Sequence, residues 1–229
     1  MNAVITGATK GIGRAIAMQL AKEGYNLAIC ARNEKDLKSL STELSAYQVK
    51  VLALPVDCSV KAELMAFTKR VLEFAPSIDV LVNNVGGYLP QSLLDEDDHC
   101  IEYQLRLNLL SAYYLTKPIG RLMRNQTYGH IFNVCSQASK HPVKEAGSYS
   151  VTKAAMLSLN DVLRMELADY NVKVTALLPG STYTASWDGT DIAPQKFVQP
   201  ADVALAMSAA LKMSSGANLD EIVLRPIQF

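Results

Sequence analysis

The chain has 229 residues, 49 % of them hydrophobic, and 22 Lys and Arg balance 22 Asp and Glu. That length and apolar content suit one sizeable domain with a buried core. The zero formal charge argues against a nucleic-acid or anionic-membrane partner, both of which favour a basic excess, and no apolar run approaches the roughly 20 residues that span a bilayer.

The first residues, "MNAVITGATKGIG", show no charged n-region, apolar h-region or small-residue cleavage site. They read as a strand, "AVIT" (3–6), running into a glycine-rich turn. The segment "GIGRAIAMQLAKEG" carries Ile12, Ala15, Ile16, Met18 and Leu20 on one helical face and closes at Gly24. "NLAIC" (26–30) is a second strand and 33–46 a helix with a polar outer face. "KVLALPV" (50–56) is a third strand, 62–75 a helix, and "IDVLVNN" (78–84) a fourth strand. A long helix is expected over about 97–125, then "HIFNVCS" (130–136) as a strand and 148–169 as a helix. "VKVTALLPG" (172–180), a helix at 201–213 and "EIVLR" (221–225) complete the pattern.

These strands are continuous apolar runs, the pattern of strands buried on both faces of a parallel sheet. Strand–helix alternation along the whole chain predicts an α/β, doubly wound Rossmann fold: a seven-stranded, mostly parallel sheet with helices on both faces. No linker or repeat interrupts it, so residues 1–229 read as a single domain, with a short substrate loop at about 181–199. Cys30, Cys58, Cys100 and Cys135 show no metal-ligand spacing and read as reduced thiols, which fits a cytoplasmic protein. The scattered His99, His130 and His141 give no metal site. The acids of "LLDEDDHC" (93–100) read as the start of the long helix, where its dipole favours negative charge.

In such a sheet, ligands bind at the carboxyl ends of the strands near the reversal of strand order. After the first strand, Gly7, Gly11 and Gly13 allow a tight turn and let backbone N–H groups approach a pyrophosphate at a helix N-terminus. After the second strand, Ala31 stands where NAD sites tend to carry an acid, and Arg32 follows. Its planar fork suits a 2′-phosphate, and Lys10 adds a second cation, so the expected cofactor is NADP(H). Glu34 and Asp36 are expected to face solvent on the next helix.

"GSYSVTKAA" places Tyr149 one helical turn before Lys153, on the same face. A free phenol, with a pKa of about 10, is a poor partner for proton transfer near neutrality. Lowering a phenol by about 3 units takes roughly 4 kcal/mol. An ammonium at 4 Å supplies about 1 kcal/mol in bulk water and about 4 kcal/mol at an effective dielectric near 20. The lysine therefore counts only in a cleft from which cofactor and substrate exclude water.

The chain resembles the short-chain dehydrogenases/reductases in their compact single-domain form. The resemblance spans about residues 1–185 and rests on "TGATKGIG", "NNVG" (83–86), Asn108, Ser136, "YSVTK" (149–153) and "PGSTYT" (179–184), in that order. Val85 stands where the family more often has alanine. The resemblance implies an NADPH-dependent enzyme that interconverts a small-molecule carbonyl and its alcohol. It implies Tyr149 as general acid, Lys153 tuning it and holding the nicotinamide ribose, Ser136 on the substrate oxygen, and Asn108 holding a relay water. It further implies cofactor contacts from Gly7, Thr9, Lys10, Gly11, Ile12, Gly13 and Arg32, from Asp57 and Cys58 near the adenine, and from Asn84 and Gly86 along the ribose. Pro179, Gly180, Thr182 and Thr184 would surround the nicotinamide. The family commonly assembles on its two long helices, which implies a homo-oligomer, dimer or tetramer. Trp187, Tyr183, Tyr88 and Val143 are candidate walls of the substrate pocket. The ending "LDEIVLRPIQF" departs from 3-oxoacyl-[acyl-carrier-protein] reductases, which leaves that role open beside a sepiapterin-reductase-like or general ketone reductase. A non-catalytic NADP-sensing protein is a further alternative, although such proteins usually lose the Tyr/Lys pair.

Overall fold

The computed structural model describes residues 1–228. Strands β1 (Asn2–Thr6), β2 (Asn26–Ala31), β3 (Val51–Pro55), β4 (Val80–Asn83), β5 (Gly129–Val134), β6 (Val172–Pro179) and β7 (Glu221–Leu224) form one sheet. Its order is β3-β2-β1-β4-β5-β6-β7, and every pairing is parallel. The expected doubly wound sheet is therefore present, wholly parallel among the described residues. Strand order reverses between β1 and β4, whose carboxyl ends flank the crevice where α/β folds bind ligands.

Helices α1 (Gly11–Lys22), α2 (Glu34–Ser45), α3 (Lys61–Phe74), α4 (Asp98–Leu105), α5 (Ser111–Gln126), α6 (Gly147–Leu167) and α7 (Pro200–Leu211) cover the two faces. One apolar layer joins Ile16 and Leu20 of α1, Leu37 and Leu40 of α2 and Met207 of α7 to the sheet. The other joins Phe67 of α3, Ile119 and Met123 of α5 and Leu167 of α6 to the opposite face. Burial on both faces explains why the strands read as unbroken apolar runs.

Local chemistry sets the ends of these helices. The Asn33 side chain caps α2 by accepting from Asp36 N, 3.0 Å. Asp97 caps α4 by accepting from His99 N, so the acidic run does open a helix. The expected long helix runs without a break over 98–126, but it is not a uniform α-helix. Arg106–Leu110 between α4 and α5 is a π-helical turn, and Asn108 lies inside it. Such turns widen the helix by one residue and recur at functional sites.

Candidate active site

The carboxyl ends of β1, β2, β4, β5 and β6 surround a cleft of about 870 Å³. Its floor at one end is the glycine loop. Gly7 and Gly11 hold φ of +64° and +52°, a region that costs other residues strain. A Cβ on Gly13 would lie 2.3 Å from the Gly7 carbonyl oxygen. Gly13 is thus not on the wall of the cleft; it lets α1 close down against the loop that is. The first turn of α1 holds no acid, and Lys10, its N-cap, makes no side-chain cap. The N–H groups of that turn are therefore available to an anion.

The β4 end is fastened to this loop by bonds that the sequence did not announce. The Thr6 hydroxyl accepts from Asn84 N and Val85 N, both at 3.1 Å. The Asn84 amide donates to the carbonyls of Thr6 and Gly7 at 2.9 and 3.0 Å. The only hint of this was a buried hydroxyl at the last position of an apolar strand.

Lys10, Arg32 and Asp36 line the same end of the cleft. Asp36 was expected to face solvent with Glu34; instead its carboxylate lies 3.7 Å from Lys10 Nζ. The cause is position: Asp36 occupies the first turn of α2, which starts beside the glycine loop. Asp57 lies off the cleft wall, its carboxylate accepting from Ser59 N and Ser59 Oγ. Partial burial acts to raise its pKa, but the Ser59 bonds and the nearby Arg32 charge outweigh that and lower it. Cys58 does line the cleft, with its sulfur 3.8 Å from that of Cys30.

At the other end, β5 and α6 bring Ser136, Tyr149 and Lys153 to one wall. Lys153 is buried and donates to the Val134 carbonyl at 2.8 Å, which uses one of its three protons. A Cβ on Gly86 would lie 3.4 Å from Lys153 Nζ and 3.2 Å from Asn108 Oδ1, so a side chain there would crowd Asn108 by a few tenths of an ångström. Ser136 caps a short 3₁₀ turn, its oxygen accepting from Ala138 N at 3.1 Å. Its hydroxyl proton remains available to a substrate oxygen. Asn108 lies behind the wall. Its oxygen accepts from Gly87 N at 2.7 Å, and its amide donates to Gly87 O and Thr152 Oγ1, both at 3.1 Å. Its visible work is to pin the Gly86–Gly87 loop to α6. Burial pushes the Cys135 thiol beside them up to about 12, which leaves it a protonated spacer.

Thr9, Ile12, Pro179, Gly180, Thr182 and Thr184 also line the cleft. Thr184 closes over the glycine loop, since a Cβ on Gly11 would meet its methyl at 2.9 Å. The 181–199 loop is held by Tyr183 N donating to Val198 O and Val198 N donating to Ser181 O. Tyr88, Val143 and Trp187 reach the cleft, whereas Tyr183 does not and packs at a tilt on Phe197. Gln137 is a wall residue that the sequence did not single out, and its amide donates to Leu224 O at 3.4 Å. No cluster of three or more His, Cys, Asp or Glu among the described residues could hold a metal ion. No helix among them is long and apolar enough to cross a membrane.

The parallel sheet and the glycine cradle at the end of β1 define a Rossmann-type fold. Residues 1–193 match the model of the family described as short chain dehydrogenase, and the chain belongs to that family. A protein of Staphylococcus epidermidis named an uncharacterized oxidoreductase is 31% identical over 225 residues, covering 98% of this chain and 96% of its own. Among solved structures, the alcohol dehydrogenase of the archaeon Thermococcus sibiricus, complexed with 5-hydroxy-NADP, superposes with a TM-score of 0.91 at 29% identity. The match covers 99% of this chain and 96% of that one. The L-sorbose reductase of Gluconobacter frateurii, complexed with NADPH and L-sorbose, gives 0.91 at 26% identity, covering 98% and 95%.

Proposed function

We propose that the protein is an NADPH-dependent carbonyl reductase. The observation that carries this reading is the cleft itself: a cradle that a single Cβ would fill, and a phenol, a buried ammonium and a serine hydroxyl on the lining of the same cleft. The residues fit the cofactor. The α1 N-terminus and glycine loop suit the pyrophosphate, Lys10 and Arg32 the 2′-phosphate, and the two remaining protons of Lys153 the nicotinamide ribose hydroxyls. NADP or NADPH in several of the solved neighbours supports the same choice.

The chemistry supplied when NADPH is bound is hydride donation to a carbonyl carbon. Ser136 then directs its hydroxyl proton at the substrate oxygen, and Tyr149 delivers the proton that completes the alcohol. Lys153 holds its ammonium 5.8 Å from the centre of the Tyr149 ring. Val134 O and the Asn108–Gly87 bonds hold that ammonium and the loop above it in place.

We further propose one domain per catalytic unit, a cytoplasmic setting, and assembly as a dimer or tetramer. Assembly is supported by α6, where Val151, Ala154, Ser158, Val162 and Met165 form one exposed stripe at helical spacing, Met165 being 72% exposed.

The test is NADPH oxidation against ketones, diketones, quinones and acyl thioesters, followed by Tyr149→Phe with the best substrate. The variant should keep its fold and cofactor affinity and lose about 10²–10⁴-fold in rate, as for removal of a general acid. Turnover within about threefold of the unmodified protein would disprove the assignment.

A further inference from the structure

The substrate half of the cleft differs in chemistry from the cofactor half. Three of the cleft's four charged side chains, Lys10, Arg32 and Asp36, stand at the glycine-loop end. The fourth, Lys153, gives one proton to Val134 O, and its other two belong to the ribose in the reading above. No cation is left over for a substrate carboxylate or phosphate. The polar groups that remain, among them Ser136, Gln137, Ser181 and Ser186, are uncharged.

Tyr88 supplies an aromatic face. It follows the Gly86–Gly87 loop, lines the cleft, and sets its ring perpendicular to that of Tyr149, at 84° and 4.9 Å between centres. The two rings stabilise each other in an edge-to-face pair. A flat aromatic wall thus begins beside the side chain that delivers the proton. Tyr88 as a whole residue is 39% exposed, so it keeps surface for a ligand. Trp187, the only tryptophan of the chain, is a second aromatic wall, and Leu107 and Val143 are aliphatic ones.

We propose that the substrate is a neutral ketone or aldehyde bearing an aromatic ring, and that Tyr88 selects it by packing against that ring; this rests on the reductase reading above. The experiment compares benzylacetone, its cyclohexyl analogue and the same phenyl ketone carrying a carboxylate, each with NADPH. The cyclohexyl compound is the bulkier apolar group, so a merely greasy pocket favours it or treats the two alike. An aromatic wall favours phenyl, by about three- to tenfold in kcat/KM, and the carboxylate should cost roughly tenfold or more. Tyr88→Leu should bring the phenyl-to-cyclohexyl ratio close to one, and Tyr88→Phe should retain it. Binding is read separately from turnover through Trp187 fluorescence, titrating the protein–NADP⁺ complex with the alcohols of the two neutral ketones. The phenyl alcohol should bind more tightly, and Tyr88→Leu should abolish the difference. If binding shows this order but no ketone turns over, the reductase reading fails and the aromatic site stands. If both neutral ketones turn over with a ratio near one, or the phenyl preference survives Tyr88→Leu, the aromatic proposal is overturned and the reductase reading stands.

Discussion

Asp36 offers a quantitative test of cofactor recognition. Its carboxylate lies 3.7 Å from Lys10 Nζ at the end of the cleft assigned to the 2′-phosphate, so it competes with that phosphate for the same cation. Asp36→Asn keeps the size of the side chain and removes the charge. At 3.7 Å two unit charges interact by about 1.1 kcal/mol in bulk water. Lys10 is 72% exposed, so salt and solvent reduce the usable part to the roughly 0.2–1 kcal/mol of an exposed pair. That range predicts NADPH binding about 1.4- to fivefold tighter in the variant, since roughly 1.4 kcal/mol is a factor of ten. NADH lacks the phosphate and should bind unchanged. Titration calorimetry at low salt measures both, and the gain should shrink at about 0.5 M salt, where the Debye length falls to a few ångströms. In a Lys10→Ala background most of the gain should vanish, because its cause is the shared cation. An equal improvement for NADH, or an undiminished gain without Lys10, would refute the reasoning.

Other outcomes follow from the same geometry. Arg32→Ala should weaken NADPH by about 1–3 kcal/mol, the range for a lost charge-assisted hydrogen bond, and leave NADH nearly unchanged in the same titrations. Gly13→Ala puts a Cβ 2.3 Å from Gly7 O and 2.4 Å from Asn84 Nδ2, so thermal melting should show a loss of about 1–3 kcal/mol or more, with weakened cofactor binding; an unchanged melting temperature would contradict the cradle. Burial lowers His130 to about 3 while it bonds Thr175 Oγ1 at 2.8 Å, so the folded chain refuses a proton that the unfolded chain takes up below about pH 6.5. Its stabilisation is complete above that pH and is lost as pH falls toward 3, at up to about 1.4 kcal/mol per unit. Urea unfolding at pH 7.5 and 5 should show a smaller acid loss in His130→Gln than in the unmodified protein, and equal losses would exclude this source.

Features that depend on neighbours along the chain could be read without a structure. Unbroken apolar runs gave the sheet, because a strand buried on both faces has no polar side to show. Gly7, Gly11 and Gly13 marked the cradle because only glycine tolerates that backbone and that closeness. Tyr149 and Lys153 were recognisable as a pair because one helical turn joins them. Other features required the folded chain because they join segments far apart in sequence. The Thr6 hydroxyl serves amides 78 and 79 residues away, and Gln137 reaches Leu224 across 87. Asp36 looked like a solvent acid until the start of α2 brought it against Lys10. The amphipathic pattern over 97–125 could not disclose the π turn at Asn108, because one extra residue in a helix barely alters its periodicity. Nor could it show Tyr88 beside Tyr149, since that contact arises only where the β4 loop and α6 meet above the sheet. Local periodicity sets which element forms, whereas the packing of distant elements decides which side chains share a wall.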